Sequence, residues 1–358
     1  MKINTVFLYL AKIVMPALVL SAFVVFSIAP VACTAQGITI VSEGCTPPAL
    51  TDFSTADSTS LSLSFDREVL LLHALVSDET GRGLGVSHPE GQGKDLRLAL
   101  AEKTKPGISY TFTGDVQDEG GSTLTLSITF PGYNDDMAHL QLAEVRNAYS
   151  SKKNHYEFVK LFCLTGGNLA GYELLSAGDG EQKKYVFPPI TVAAGDFVTV
   201  HLRMMKNADG DYCQQGMVDE VLGDRQASFA ADSSEDAWDL WLDNQKSRLS
   251  PSDILVLRDA VSGRIVDALP FADPKKEESS WNKNYEALCR AVEESGVWQG
   301  ADGTASCDIA DAFQATGITS SATSRTLCRR TIGNEADGNP QNCSSAADWY
   351  VKNYAKRK

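Results

Sequence analysis

The sequence predicts a mainly β protein of two β-sandwich domains, the second with a small helical insertion, behind an N-terminal signal helix. Three observations carry this. The chain has 358 residues, comfortable for two domains each with its own core. Several segments alternate apolar and polar residues with period two, the pattern of a strand with one buried face. An apolar segment opens the chain, and eight cysteines are spread along it.

In residues 1–32 the only charges are Lys2 and Lys12, and Ile13 to Ala29 is an apolar run interrupted by Pro16. This reads as an export signal. Its length is near the lower limit of the about 17–25 apolar residues that span a bilayer. Pro30-Val31-Ala32-Cys33 then places a small residue directly before a cysteine, which resembles the lipobox of bacterial lipoproteins, although Pro30 stands where Leu is usual. The resemblance implies cleavage before Cys33, lipidation of that cysteine and attachment to the inner or outer membrane, facing the periplasm or cell surface. Cleavage after Ala35 and a retained transmembrane helix are the alternatives. Residues 33–45 form the tether.

Removing residues 1–32 deletes two lysines and no acid, which takes the formal charge from −14 to −16. An acidic chain with only a short basic C-terminus, Lys352 to Lys358, is a poor match for nucleic acid, whose binding draws mainly on cations meeting phosphates. With 43% hydrophobic and 22% charged residues the composition is that of a globular protein.

Residues 46–137 form the first predicted sandwich. Leu61, Leu63 and Phe65 alternate with serines, Ile108, Tyr110 and Phe112 with Ser and Thr, and Leu124, Leu126, Ile128 and Phe130 likewise. Asp118-Glu119-Gly120-Gly121 between the last two runs predicts a hairpin turn. Pro106 to Tyr110, leading to Val116-Gln117-Asp118, resembles the end of bacterial immunoglobulin-like domains.

Residues 138–358 form the second. The ordered series is Leu140 to Val145, Tyr156 to Leu161, Leu169 to Leu174, Tyr185 to Pro188, Val192 to Val200, Ile254 to Asp259 and Gly263 to Asp267, closing with Ser324 to Arg329 and Ala347-Asp348-Trp349. It resembles the lamin tail domain, an immunoglobulin-like sandwich whose members bind or scaffold. Lys160 and Cys163 depart from it, standing where Glu and Asn are common. Insertions at about 204–251 and 274–323 are individual to this chain. In the second, Tyr285, Leu288 and Val292 predict a helix with Ser279 or Ser280 as N-cap and Gly296 as stop, and a short helix is expected around Ile309, Ala310 and Phe313.

The residue pattern argues against catalysis. None of the five histidines forms a HExxH group, and the sequence has no GxSxG, GxxxxGK[ST] or GxGxxG. His201, between Val200 and Leu202, is expected to be an exposed strand residue. Asn207, Asp209 and Asp211 mimic the start of a calcium loop, but Tyr212 and Val218 replace its Gly and Glu, so a solvated acidic loop is expected. Asp232, Glu235, Asp236 and Asp239 read as acidic surface. Trp238 and Trp241, three apart, are read as sharing one face of a helical turn, as a plug closing the sandwich or as a contact for a partner or glycan. No catalytic residue, metal ligand or cofactor is assigned.

The cysteines are expected to be staples. Cys289 is expected to pair with Cys307 and Cys328 with Cys343, each closing a loop for which chain entropy gives roughly 3 kcal/mol. Cys163 is then free or joined to Cys213, and Cys45 is available between molecules. The functional expectation is a lipid-anchored, non-catalytic binding or structural module of the cell envelope, with a protein or envelope polymer as partner. The rival is a metal-assisted hydrolase, phosphoesterase or glycosidase, with its site in the insertions.

Overall fold

The computed structural model describes residues 46–87, 92–153, 155–178, 184–204, 218–220, 232, 237–242, 246, 249–275, 283–319, 321–333 and 343–354. Cys33, Cys45, Cys213, Ser279, Ser280 and the Asn207/Asp209/Asp211 run lie outside them. By compactness the chain divides between Thr46 and Pro47, and residues 47–358 form one compact unit. The protein is mainly β, with one α-helix among the described residues.

The N-terminal part of that unit consists of β1 (Leu50–Asp57), β2 (Ser60–Asp78), β3 (Gly83–Leu84), β4 (Val86–Ser87), β5 (Gln92–Leu100), β6 (Ser109–Asp118) and β7 (Thr123–Pro131). They make one seven-stranded sheet in the order β4-β5-β2-β6-β7, with β1 and β3 also on β2. At 19 residues, β2 is the hub. Its first half pairs with β1 and β5, its second half with β6, and the register with β5 shifts between Ser64 and Val69. Each half can therefore belong to a different layer. Leu61, Leu63 and Phe65 of β2 meet Phe112 and Val116 of β6 and Phe130 of β7 in one buried cluster, and the Phe53 ring lies 5.4 Å from that of Phe130. The predicted hairpin is present. Gly121 has φ +83°, its N–H donates to Asp118 O at 3.0 Å, and Ser122 N donates to Asp118 Oδ1 at 2.8 Å. On the other side of β2, Leu70, Leu72 and Leu75 are 47%, 53% and 44% exposed.

Residues 132–138 are fastened at both ends. Asn134 Nδ2 donates to the carbonyls of Asn168 (2.9 Å) and Ala170 (2.7 Å), while Asp135 accepts from Ser58 Oγ (2.5 Å) and Lys103 Nζ (3.0 Å).

Beyond them come β8 (His139–Arg146), β9 (Phe158–Thr165), β10 (Gly167–Asn168), β11 (Tyr172–Ser176), β12 (Tyr185–Val186), β13 (Thr191–Val192), β14 (Phe197–His201), β15 (Val218–Glu220) and β16 (Ala237–Trp241). Then follow β17 (Asp253–Asp259), β18 (Ile265–Ala272), helix α1 (Lys283–Ser295), β19 (Trp298–Gln299), β20 (Phe313–Gln314), β21 (Arg325–Arg329), β22 (Ser344–Ser345) and β23 (Trp349–Asn353). Two sheets face each other. One runs β12-β11-β17-β18-β20, the other β15-β16-β14-β9-β8-β21-β23. Between them lie Leu140, Leu142, Leu161, Val198 and Val200 of the second sheet and Leu174, Val256 and Ala268 of the first, joined by Tyr285 and Val292 of α1.

One buried ion pair bridges the layers. Arg329 Nη2 on β21 donates to both oxygens of Asp267 on β18 (2.7 and 2.6 Å), Leu142 N donates to Asp267 Oδ2 (2.8 Å), and Arg329 Nε donates to Leu142 O (2.8 Å). A second buried acid, Asp253, opens β17. It accepts from Ser176 Oγ, Gly178 N, Ser250 N and Ile254 N at 2.7 to 3.1 Å, yet its burial outweighs these bonds and pushes the carboxyl up to about 6.

Three expectations are corrected. The segment Ile309 to Phe313 is not a helix: Asp308 O accepts from Asp311 N and Ala312 N in a turn, and Phe313-Gln314 then pairs in parallel with Phe271-Ala272. Three apolar residues are too few for a helix, and the edge of β18 offers backbone partners instead. The stretch from Trp238 to Trp241 is a strand, parallel to β14, because its period is two rather than three to four. Part of the region read as an insertion therefore extends the sandwich sheet itself. The third correction is His201, which is fully buried. By contrast, α1 and its Gly296 stop, at φ +70°, follow the sequence expectation.

Candidate functional site

A set of polar and aromatic residues of the second sandwich gathers on the outer face of its seven-stranded sheet. Strand alternation puts them there: Val159, Leu161, Val198, Val200 and Leu240 fill the core, so their neighbours point outward. The register aligns these neighbours in rows. One row is Trp241, His201, Phe158 and Arg146; the next is Asp239, Thr199, Lys160, Glu144, Cys328 and Tyr350; the third is Ala237, Phe197, Phe162 and Gln141.

The first row is sealed. The His201 ring stacks on Trp241 at 3.9 Å and 13°, Phe158 meets it edge-on at 6.3 Å, and Nε2 lies 2.6 Å from Asp239 Oδ1. Both partners of that pair are 0% exposed. Arg146 stacks 5.0 Å from the Phe158 centroid and 5.5 Å from that of Tyr354, and its Nη1 pairs with Asp232. Asp232 also meets His155 Nδ1 at 3.0 Å and accepts from Tyr156 N at 3.2 Å. Burial alone would raise the Asp232 carboxyl, but His155 and Arg146 outweigh it and hold the group below the usual carboxylate range. Beside this lattice the Arg203 guanidinium sits 3.7 Å from the Tyr149 centroid, and Tyr156 packs edge-on against Trp241 at 5.6 Å.

Toward β23 the face opens. The Tyr354 hydroxyl donates to Glu144 Oε1. Lys352 Nζ lies 4.6 Å from the Tyr354 centroid, the Arg330 guanidinium 5.4 Å from that of Tyr350, and Lys160 Nζ 5.6 Å from that of Phe197. Burial and the nearby Glu144 raise the Cys328 thiol to about 11.

The two tryptophans singled out in the sequence do not share a face. Trp241 is buried in the outer stack, whereas Trp238 turns to the core side, half-buried, with its indole N–H 3.4 Å from Asp196 Oδ2. Neither stands free on the surface, because residues three apart on a strand lie on opposite sides. Asp232 and Asp239 are likewise paired and buried rather than parts of a solvated acidic surface.

The structure shows the five described cysteines, Cys163, Cys289, Cys307, Cys328 and Cys343, without a disulfide between them. Cys289 Sγ donates to Cys307 O at 2.6 Å, and contact with Cys289 followed by burial pushes the Cys307 thiol far up. The fold thus brings these two cysteines together. It gives Cys328 and Cys343 different surroundings: the Cys328 thiol is 3.5 Å from Thr326 Oγ1, while that of Cys343 lies 3.6 Å from Gly296 O. Cys163 is buried with its thiol 3.0 Å from Thr165 O. Among the described residues no group of three or more His, Cys, Asp or Glu side chains could hold a metal ion.

A protein family carrying the description TP_1001_2nd, protein second domain, matches residues 138–351. The chain belongs to that family. The matched region takes in the core shared by the two facing sheets and all three outer rows. A relative, an "Uncharacterized protein" of Treponema pallidum (strain Nichols), is 27% identical over 208 residues. The match covers 56% of this chain and 50% of the relative, so the chain spans about half the length of the curated relative it matches. Among solved structures, the N-terminal part of the bacterial S-layer protein SbsC is 14% identical, with 62% of this chain and 43% of that one covered, at a TM-score of 0.23. The S-layer protein rSbsC is 11% identical, with 60% and 39% covered, at the same TM-score. At that score neither likeness bears on function.

Proposed function

We propose that the protein is an exported lipoprotein, anchored through Cys33, whose folded part is a non-catalytic binding or structural module of the cell envelope. The observation that carries this is the state of the outer sheet face. Its acids and bases are spent on one another: Arg146 with Asp232, Asp232 with His155, and His201 with Asp239, the last pair wholly out of solvent. A group that reacts must meet its substrate. Pairs sealed under Trp241, Phe158 and Tyr354 rigidify a sheet instead.

The series of strands from β8 to β23 supports a lamin-tail type of sandwich, with binding or scaffolding as its role. The export segment ending in Val31-Ala32-Cys33 supports the anchor. The solvent-exposed leucines of β2, Leu70, Leu72 and Leu75, support a protein or envelope-polymer partner at the other sandwich, since clustered exposed leucines commonly mark contacts.

The test combines location and turnover. Membrane-fraction protein from cells that express the full chain should incorporate labelled palmitate, and Cys33→Ser should abolish that incorporation. Purified protein should leave generic phosphoesters and glycosides intact. Chelator-sensitive hydrolysis by the purified chain would overturn the reading in favour of a hydrolase.

A further inference from the structure

The outer face of the seven-stranded sheet ends, at β23, in an exposed edge of unusual composition for a chain of net charge −14. Tyr350 and Tyr354 are 37% and 38% exposed, Ile332 is 38% exposed, and Arg330 and Lys352 lie over the two tyrosine rings. Arg325 stands on the adjacent strand, its Nε donating to Asn353 Oδ1 at 3.0 Å. After Asp348 the sequence contains no acid and ends Lys356-Arg357-Lys358. Among the described residues two carboxylates stand near, and both are engaged: Glu144 holds the Tyr354 hydroxyl, and Asp348 accepts from Ser345 N at 2.7 Å and Ser345 Oγ at 3.0 Å. Among the described residues neither Arg330 nor Lys352 is in an ion pair; Arg330 Nε donates to Ala347 O at 2.9 Å.

We infer that this edge is a contact surface for an anionic phospholipid bilayer. Among the described residues the sign of the local charge favours an anionic partner. Acids more than about 10 Å away are largely screened at moderate salt, so the net charge of the whole chain does not decide the matter. The ring geometry selects lipid over an acidic sugar polymer. A sugar stacks on an aromatic face, and here a cation already lies over each of the two exposed tyrosine rings. Exposed tyrosine flanked by basic side chains and an exposed isoleucine is the mixture that suits a headgroup boundary. This inference rests on the anchored reading for its setting, because one lipid signal is reinforced by a basic patch that meets the same leaflet.

The experiment uses residues 47–358, the compact unit without Cys33, so that its outcome is independent of lipidation. Cosedimentation with phosphatidylcholine vesicles containing phosphatidylglycerol should exceed that with phosphatidylcholine alone and should fall as salt rises. Arg330→Gln with Lys352→Gln should weaken binding roughly thirtyfold, from about 1 kcal/mol per basic residue at an anionic surface. Arg330→Gln alone, at an exposed position, should lose about fivefold and guards against a folding defect in the pair. The charge-matched pair Arg82→Gln with Lys103→Gln, on the other sandwich, should change little. Equal binding to neutral and anionic vesicles, an equal loss in the charge-matched pair, or preference for a soluble acidic polysaccharide over the vesicles would each overturn the inference. If vesicle binding holds while Cys33 proves unmodified, only the anchor fails.

Discussion

Replacing Arg329 by Met removes the cation from the buried bridge between the two facing sheets and leaves Asp267 behind. The wild-type carboxylate is 0% exposed, and Arg329 Nη2 reaches both of its oxygens. The substitution also removes the bond from Nε to Leu142 O and the stacking of the guanidinium 5.1 Å from the Trp349 centroid. Breaking a buried pair on one side costs about 3–5 kcal/mol, because the remaining charge is uncompensated. Burial already raises the Asp267 pKa, with the charge of Arg329 as the largest opposing influence. A group whose folded pKa is raised contributes stability that is complete below its unfolded pKa and lost as pH rises through the folded one. Without Arg329 the folded pKa rises further. The deficit of Arg329→Met should therefore grow with pH, reaching about 3–5 kcal/mol near neutrality and shrinking in acid to the lost hydrogen bond and stacking, about 1–2 kcal/mol. Urea unfolding of residues 47–358, followed by tryptophan fluorescence at several pH values, measures this. Adding Asp267→Asn should flatten the pH dependence. A deficit that is independent of pH, or smaller than about 1 kcal/mol, would refute the reasoning.

The Asp232 lattice should behave with the opposite sign. Its carboxyl is held below the usual range, so the stability it contributes is present above the ordinary carboxylate pKa and lost in acid; Asp232→Ala should cost about 3 kcal/mol near neutrality, and the gap should close as pH falls. Gly317 has φ +75°, and a Cβ there would lie 1.6 Å from Arg325 Nη1, whereas at Gly263, with φ +71°, it would meet nothing within 4 Å. In thermal melts Gly263→Ala should therefore cost only backbone strain of about 1 kcal/mol and Gly317→Ala clearly more. Non-reducing peptide mapping of exported protein should recover Cys289 joined to Cys307. Cys328 and Cys343 should be recovered unlinked to each other, since the fold places their thiols against Thr326 and Gly296.

Much of the fold was legible because alternation is a local signal. Leu61, Leu63 and Phe65 declare one buried face, Asp118 to Gly121 a turn, and Tyr285, Leu288 and Val292 with Gly296 a helix and its end. What alternation cannot say is whether the opposite face meets water. His201 and Thr199 are polar and point away from Val198 and Val200, which reads as solvent exposure. Both are nonetheless fully buried, because β16 pairs with β14 and sets Asp239 and Trp241 beside them. That pairing is parallel and joins segments separated by a long excursion, so no short-range pattern announces it. The buried bridge was equally silent. Asp267 and Arg329 each appear in the sequence as one polar residue near a strand end, and only the facing of two sheets makes them partners. An aspartate within an otherwise apolar strand or at its start, as at Asp239, Asp267 and Asp253, was the one available hint, since such residues stay buried only when paired or hydrogen-bonded.

The central claim is attachment to the envelope through a lipidated cysteine, and the mass of the mature N-terminus tests it most directly. Protein recovered from the membrane fraction of cells that express the full chain should begin at Cys33 and carry a thioether-linked diacylglycerol with an acylated amine. A mature chain that begins unmodified at Gln36, or one that retains Met1, would contradict the account.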